Sequence, residues 1–144
     1  MPYDLENRQP DIVYIHNPYD GINKLTMVYP KYFSKNLLNY TNMLVYVPYF
    51  VAGSYENQVS QFNLLPGAVN STKVVVQSKV QKELFIASGH SCDNILNLGS
   101  PKFDATLLAC RNNKTIRPEW KNIIKDKKVF LFNTGISDLL SNLD

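Results

Sequence analysis

Cysteine is scarce in this chain. Cys92 and Cys110 are the only two in 144 residues and have no Cys-x-x-Cys spacing. Neither a disulfide framework nor a thiolate zinc site is specified, and free thiols in a reducing interior are expected. Long apolar runs are missing as well. The longest, Met43 to Ala52 (MLVYVPYFVA), is about half of the ~20 residues a membrane-spanning helix requires. The opening MPYDLENRQP is polar and proline-bearing, so no secretion signal is read there, and the triplets at Asn39, Asn70 and Asn113 are taken as chance in an Asn-rich chain. The formal charge of +3 is too small an excess for wholesale nucleic-acid binding, and nucleic acid is not expected as a partner. There is no GxGxxG, Walker loop, GxSxG or HExxH, which leaves hydride transfer, ATP hydrolysis and serine hydrolysis without support.

What the chain does contain is enough apolar material, 44%, for one ordinary globular domain. Five short runs rich in β-branched and aromatic residues read as buried strands: Ile12–Ile15, Met43–Val47, Lys73–Val76, Ile95–Leu98 and Val129–Phe132. Helix signals rather than hairpin turns separate them, which is the pattern of βαβ crossovers. The expected class is α/β, a Rossmann-like parallel sheet with flanking helices. The clearest helix starts at Ser78, with Gln81 closing a capping box and Gly89 stopping it, and Val80, Leu84 and Ala87 sharing one face. A second opens with Pro118, sets Glu119 and Lys125 at the favourable dipole ends, and buries Trp120, Ile123 and Ile124. A weaker one lies within Ser34–Tyr40. A last helix starts near Ser137 with scarcely a turn before Asp144, so the natural domain is expected to continue. Asp104–Arg117, after a Gly-Ser-Pro turn, is the expected linker. Arg111–Lys128 carries seven basic residues against two acids, either a solvated helix face or a patch for an anionic partner.

In open parallel sheets ligands bind beyond the carboxyl ends of the strands. The residues there are polar or turn-forming: His16-Asn17-Pro18-Tyr19-Asp20-Gly21, Pro48-Tyr49-Phe50, Gln77-Ser78, Gly99-Ser100-Pro101-Lys102 and Asn133-Thr134-Gly135. His16 admits three readings: a general base held by Asp20, a ligand contact, or a residue that holds its own loop. Lys102 can steady a phosphate as a point charge while Asp104 caps the next segment, or the stretch is a turn with a surface lysine. His90, Cys92 and Asp93 have metal-ligand atoms, but no second cluster completes a site, and no metal is expected. Tyr19–Tyr40 mixes five aromatic side chains with Lys24, Lys31 and Lys35, a composition that suits a membrane interface or a polyanionic chain, although core aromatics with solvated lysines are the favoured reading.

Five ordered blocks resemble CDP-glycerol glycerophosphotransferases. They are Asp11–Tyr19 (DIVYIHNPY), Leu44–Phe50 (LVYVPYF), Leu65–Gly67 followed by Val74–Ser78 (VVVQS), Leu98–Asp104 (LGSPKFD), and Trp120–Ile124 leading into Val129–Thr134 (VFLFNT). The resemblance implies a two-domain glycosyltransferase-B-type fold. In it, CDP-glycerol donates glycerol phosphate to a lipid-linked polyol-phosphate acceptor during teichoic acid synthesis, in a cytoplasmic enzyme peripheral to the anionic inner face of the plasma membrane. It implies no cofactor besides CDP-glycerol as donor substrate. On this mapping residues 1–104 are the end part of the N-terminal, acceptor-side domain, 105–127 an interdomain linker and basic helix, and 128–144 the first strand and truncated helix of a second domain. The family's catalytic histidines lie beyond Asp144, so no catalytic residue is assigned and this chain alone is expected to be inactive. Candidate substrate-binding residues are His16, Asn17, Tyr19, Asp20, Ser100, Lys102, Asp104, Asn133 and Thr134. Gly99, Pro101 and Asp104 match the family's Gly-x-Pro-Arg-x-Asp segment, with Lys102 where arginine is usual; a lysine cannot hold phosphate bidentately. The alternative is a self-standing, non-enzymatic Rossmann-like module for a phosphorylated small molecule.

Overall fold

Four strands, β1 (Ile12–Ile15), β2 (Met43–Tyr46), β3 (Lys73–Val76) and β4 (Ile95–Asn97), form one sheet in the computed structural model, which describes residues 3–24, 27–51, 61–112 and 116–130. All pair in parallel, in the order β1-β2-β3-β4. The chain is thus α/β with a Rossmann-like parallel sheet. The order never reverses, so the described strands contain no topological switch point.

Register and alternation show which side chains share a face. Ile15, Tyr46, Val74 and Ile95 lie in one row across the sheet, and Leu44 and Val76, two residues along, point the same way. This face carries both cores. Leu44 packs with Leu5 and Leu37, while Tyr46, Val74, Val76 and Ile95 pack with Ala68 and Phe85. Those partners come from α1 (Leu5–Arg8), α2 (Ser34–Leu37), α3 (Pro66–Val69) and α4 (Lys79–Ala87), so these four helices cover a single face. With every crossover stepping the same way, one hand of connection allows no other result. On the opposite face Val45 and Val75 are buried, but Ile12, Tyr14 and Met43 are exposed.

Local chemistry accounts for the helix ends. The Ser78 side chain accepts from the Gln81 N–H at 3.2 Å, as a cap should. Gln81 Oε1 in turn accepts from the Gln77 N–H at 2.9 Å, one residue earlier than a standard capping box. At the other end Gly89, at φ +97, lets its own N–H reach Ile86 O and the His90 N–H reach Phe85 O, a Schellman closure that needs a residue tolerant of positive φ. The buried face of α4 is not Val80, Leu84 and Ala87. Val80 is exposed and Phe85 is buried, with Gln81 and Ser88 alongside it spending their polar atoms on Gln77, Asn63 and Leu84.

The chain divides into two compact units, Met1–Leu108 and Ala109–Asp144, with the boundary inside α5 (Pro101–Arg111). The expected linker at Asp104–Arg117 is therefore helical as far as Arg111. Ser100 starts this helix, its carbonyl accepting from the Phe103 N–H at 2.9 Å and the Asp104 N–H at 3.5 Å. The last helix, α6 (Pro118–Ile124), opens on Pro118 with Glu119 in its first turn, as anticipated. It does not bury the apolar side chains expected inside: Trp120 is 55% and Ile123 63% exposed, and only Ile124 is half-buried. Val129 and Phe130 are exposed and not in a strand; residues 131–132 of the expected fifth strand, and the expected helix from Ser137, lie outside the described residues. Among the described residues no helix is long and apolar enough to cross a membrane.

Among the unanticipated elements are two four-residue α-helices, α1 and α3. In α1 the Asp4 carboxylate accepts from Asn7 Nδ2 at 2.6 Å and from the Asn7 N–H at 3.3 Å, and these bonds, the side-chain one first, hold the Asp4 carboxyl below its usual range. In α3, begun by Pro66, the Gly67 N–H donates to Pro18 O at 2.8 Å. The fit is so close that a Cβ on Gly67 would lie 2.6 Å from Pro18 Cα. Gly67→Ala is expected to cost about 1–3 kcal/mol through this overpacking against backbone. A urea titration should show a lower midpoint at unchanged slope.

Candidate functional site

The carboxyl ends of the strands gather on one rim, and the loop after β1 supplies most of it. Asn17 Oδ1 accepts from the Tyr19 N–H at 2.9 Å, an Asx turn that redirects the chain. Pro18 is fully buried. Asp20, at φ +46, is buried, and its carboxylate accepts from the Ser34 N–H at 3.0 and 3.1 Å and from the Ser34 hydroxyl at 2.6 Å. Asn70 Nδ2 donates to the same Ser34 Oγ at 2.9 Å. A base–carboxylate pair of His16 and Asp20 is thereby corrected: both Asp20 oxygens are committed to Ser34, and Asp20 ties the loop to the start of α2. The His16 ring instead meets Tyr49 edge-on, with centroids 6.1 Å apart.

After β2 the ladder runs one residue further, the Val47 N–H donating to Ile15 O at 2.8 Å, before Pro48 ends it. Tyr49, Phe50 and Phe62 follow in edge and tilted contacts at 5.6 and 4.7 Å. After β4 the chain doubles back over β3: Gly99, at φ +90, donates its N–H to Val76 O at 3.1 Å. This turn buries Ser100, whose Oγ accepts from the Lys102 N–H at 3.3 Å. It also brings Pro101 and Lys102 to the ends of β1 and β2. His16, Tyr49, Pro101 and Lys102 line one cavity of about 260 Å³ together with Tyr14, Ile15, Val47 and Pro48. A larger groove of about 420 Å³, mostly apolar, follows the free edge of β1 past Ile12 and Tyr14 to His16.

Of the sequence-derived candidates, His16 and Lys102 are thus united in one cavity, although 85 residues lie between them in the chain. Asn17, Asp20 and Ser100 shape the rim from beneath. Asp104 caps no later segment; it lies in the first turn of α5, exposed, where its charge suits the helix dipole. Asn133 and Thr134 lie outside the described residues. His90 is structural: its Nε2 is 2.7 Å from Asn63 O and its ring tilts onto Phe85. No group of metal-ligating side chains occurs among the described residues, and Cys92 and Cys110 are free, exposed thiols.

Sequence reasoning missed a tyrosine cluster under the rim. Burial first, and a hydrogen bond with Tyr49 second, hold the half-buried Tyr19 phenol above its usual range. Tyr46 is buried and its hydroxyl has no hydrogen-bond partner among the described residues. Desolvation pushes its phenol well up, with Tyr19 and Tyr49 adding to the shift. The signal was available as three tyrosines in the first two strand-to-loop junctions. No family model matches the chain, and neither a curated protein nor a solved structure shows significant similarity to it.

Folding favours the neutral Tyr46 phenol, so the stability it contributes is complete below the ordinary phenol pKa of ~10 and is lost as pH rises above it. Tyr46→Phe removes an unpaired buried hydroxyl. It should raise neutral-pH stability by about 1 kcal/mol and soften the alkaline decline, both read from denaturant midpoints measured from pH 7 to 11.

Proposed function

We propose that the chain is the acceptor-side α/β half of a CDP-glycerol-type glycerophosphotransferase. In this reading the enzyme moves glycerol phosphate from CDP-glycerol to a lipid-linked polyol phosphate in teichoic acid synthesis. An acceptor hydroxyl oxygen forms the new bond to phosphorus as the bond to CMP breaks, and the hydroxyl proton passes to a base. That base and the nucleotide contacts belong to a second domain, and the half described here binds and presents the acceptor.

One observation carries the reading. Four of the five blocks that resemble the family fall at strand ends on the same rim: DIVYIHNPY is β1 with its loop, LVYVPYF is β2 with its loop, VVVQS is β3 with the cap of α4, and LGSPKFD is the turn into α5. Chance matches would scatter over the surface; these converge where parallel sheets bind ligands. Exposed Tyr29 and Met27 with Lys24 and Lys35 give the 19–40 segment the aromatic and basic surface that suits an anionic leaflet.

A second reading, a self-standing module for a small phosphorylated ligand, is favoured by the uncommitted His16 and Lys102 at the rim cavity. Incubation with CDP-glycerol and a lipid-linked polyol-phosphate acceptor separates the two. The transferase reading expects no CMP release from this chain alone and restored release when a second-domain polypeptide is added. Continued silence with a correctly folded partner domain would leave the module.

A further inference from the structure

Two polar side chains converge on the rim cavity without a structural task. The His16 ring meets the Tyr49 ring edge-on, and neither ring nitrogen is hydrogen-bonded among the described residues. Lys102 uses its backbone to start and continue α5, but its ammonium has no partner there either. Three lysines elsewhere are held, Lys31 to Glu6 at 3.2 Å, Lys73 to Asp93 O at 2.8 Å and Lys82 to Ile95 O at 3.2 Å; what sets Lys102 apart from the remaining surface lysines is its place on the cavity wall beside His16. The first free amides of α5 already point at Ser100, so an anion here must be held by side chains, not by the helix end. No carboxylate lines the cavity, since Asp20 is turned away onto Ser34. The remaining wall is aromatic, aliphatic and prolyl, and about 260 Å³ lies below the ~300–1,000 Å³ typical of drug-sized ligands.

We infer that this cavity binds the phosphate of a terminal polyol-phosphate unit. The Lys102 ammonium supplies the countercharge, a His16 ring N–H donates to a phosphate oxygen, and the Tyr49 ring lies against the carbon chain. The volume suits a terminal unit, and the bulk of a larger acceptor would extend outside it. The polyol assignment rests on the reading of the rim as the acceptor end; the anion site rests on the geometry alone.

Isothermal titration calorimetry of the full chain with glycerol 1-phosphate, inorganic phosphate and glycerol tests it. Glycerol 1-phosphate should bind saturably and more tightly than inorganic phosphate, and glycerol alone should give no heat. Lys102→Ala should weaken binding about tenfold and His16→Gln severalfold. Lys79→Ala, exposed at the start of α4 and outside the cavity, should change nothing. Both rim side chains are exposed, so the variants should keep the parent unfolding midpoint. Absence of saturable glycerol 1-phosphate binding, or an equal loss with Lys79→Ala, would overturn the site; inorganic phosphate binding as tightly as the monoester would overturn the polyol assignment. Saturable, Lys102-dependent binding without turnover in the reconstituted pair sinks the transferase reading alone. Turnover without such binding sinks this inference alone.

Discussion

The buried carboxylate of Asp20 is the joint on which the rim turns. It meets both the amide and the hydroxyl of Ser34, and Asn70 completes the same knot from the end of α3. A buried carboxylate is tolerable only when its oxygens are bonded, and removing the partners would strand it at a cost of several kcal/mol. Through this knot the loop after β1, the start of α2 and the residues before β3 are held as one piece. The close seat of Gly67 on Pro18 locks the same loop a second time. With its loop fixed from below, His16 is left at the surface with its ring free.

Much of the fold could be read from residue type. β1 and β3 begin and end where the β-branched runs do, and β2 and β4 stop one residue short of the expectation, because strands of a parallel sheet read as continuous apolar runs; β1, at the sheet edge, is not the buried strand its run suggested, since Ile12 and Tyr14 are exposed. The start and stop of α4 follow equally from Ser78 and Gly89. Errors arose where polar side chains serve as core. Gln81 and Ser88 face inward because their hydrogen bonds are met by neighbouring loops, so the hydrophobic stripe alone pointed about a third of a turn away from the buried face. The α5 helix was overlooked because Gly-Ser-Pro reads as a turn and Arg-Asn-Asn-Lys-Thr as a loop, although Ser100, Pro101 and Asp104 are also helix-start residues.

The site was legible as a list of rim residues but not as a set of partnerships. Spacing suggested His16 with Asp20, four residues apart; the actual partner of Asp20 is Ser34, which no local pattern reveals. Lys102 joins His16 only because a glycine at positive φ folds the chain back over β3. Long-range hydrogen bonds and one unusual backbone angle, not residue composition, decide which polar groups are spent on structure and which remain for a ligand.

The unreversed strand order also has a consequence for how the molecule is made. Paired residues are 31 apart in sequence between Ile12 and Met43, 28 between Tyr46 and Val74, and 21 between Val74 and Ile95, and every strand pairs with the one synthesised just before it. A sheet whose middle strand comes first must wait for distant segments to fill both flanks. This one can zip up in the direction of translation, each new strand docking on a template already complete, with modest loop-closure entropy at each step.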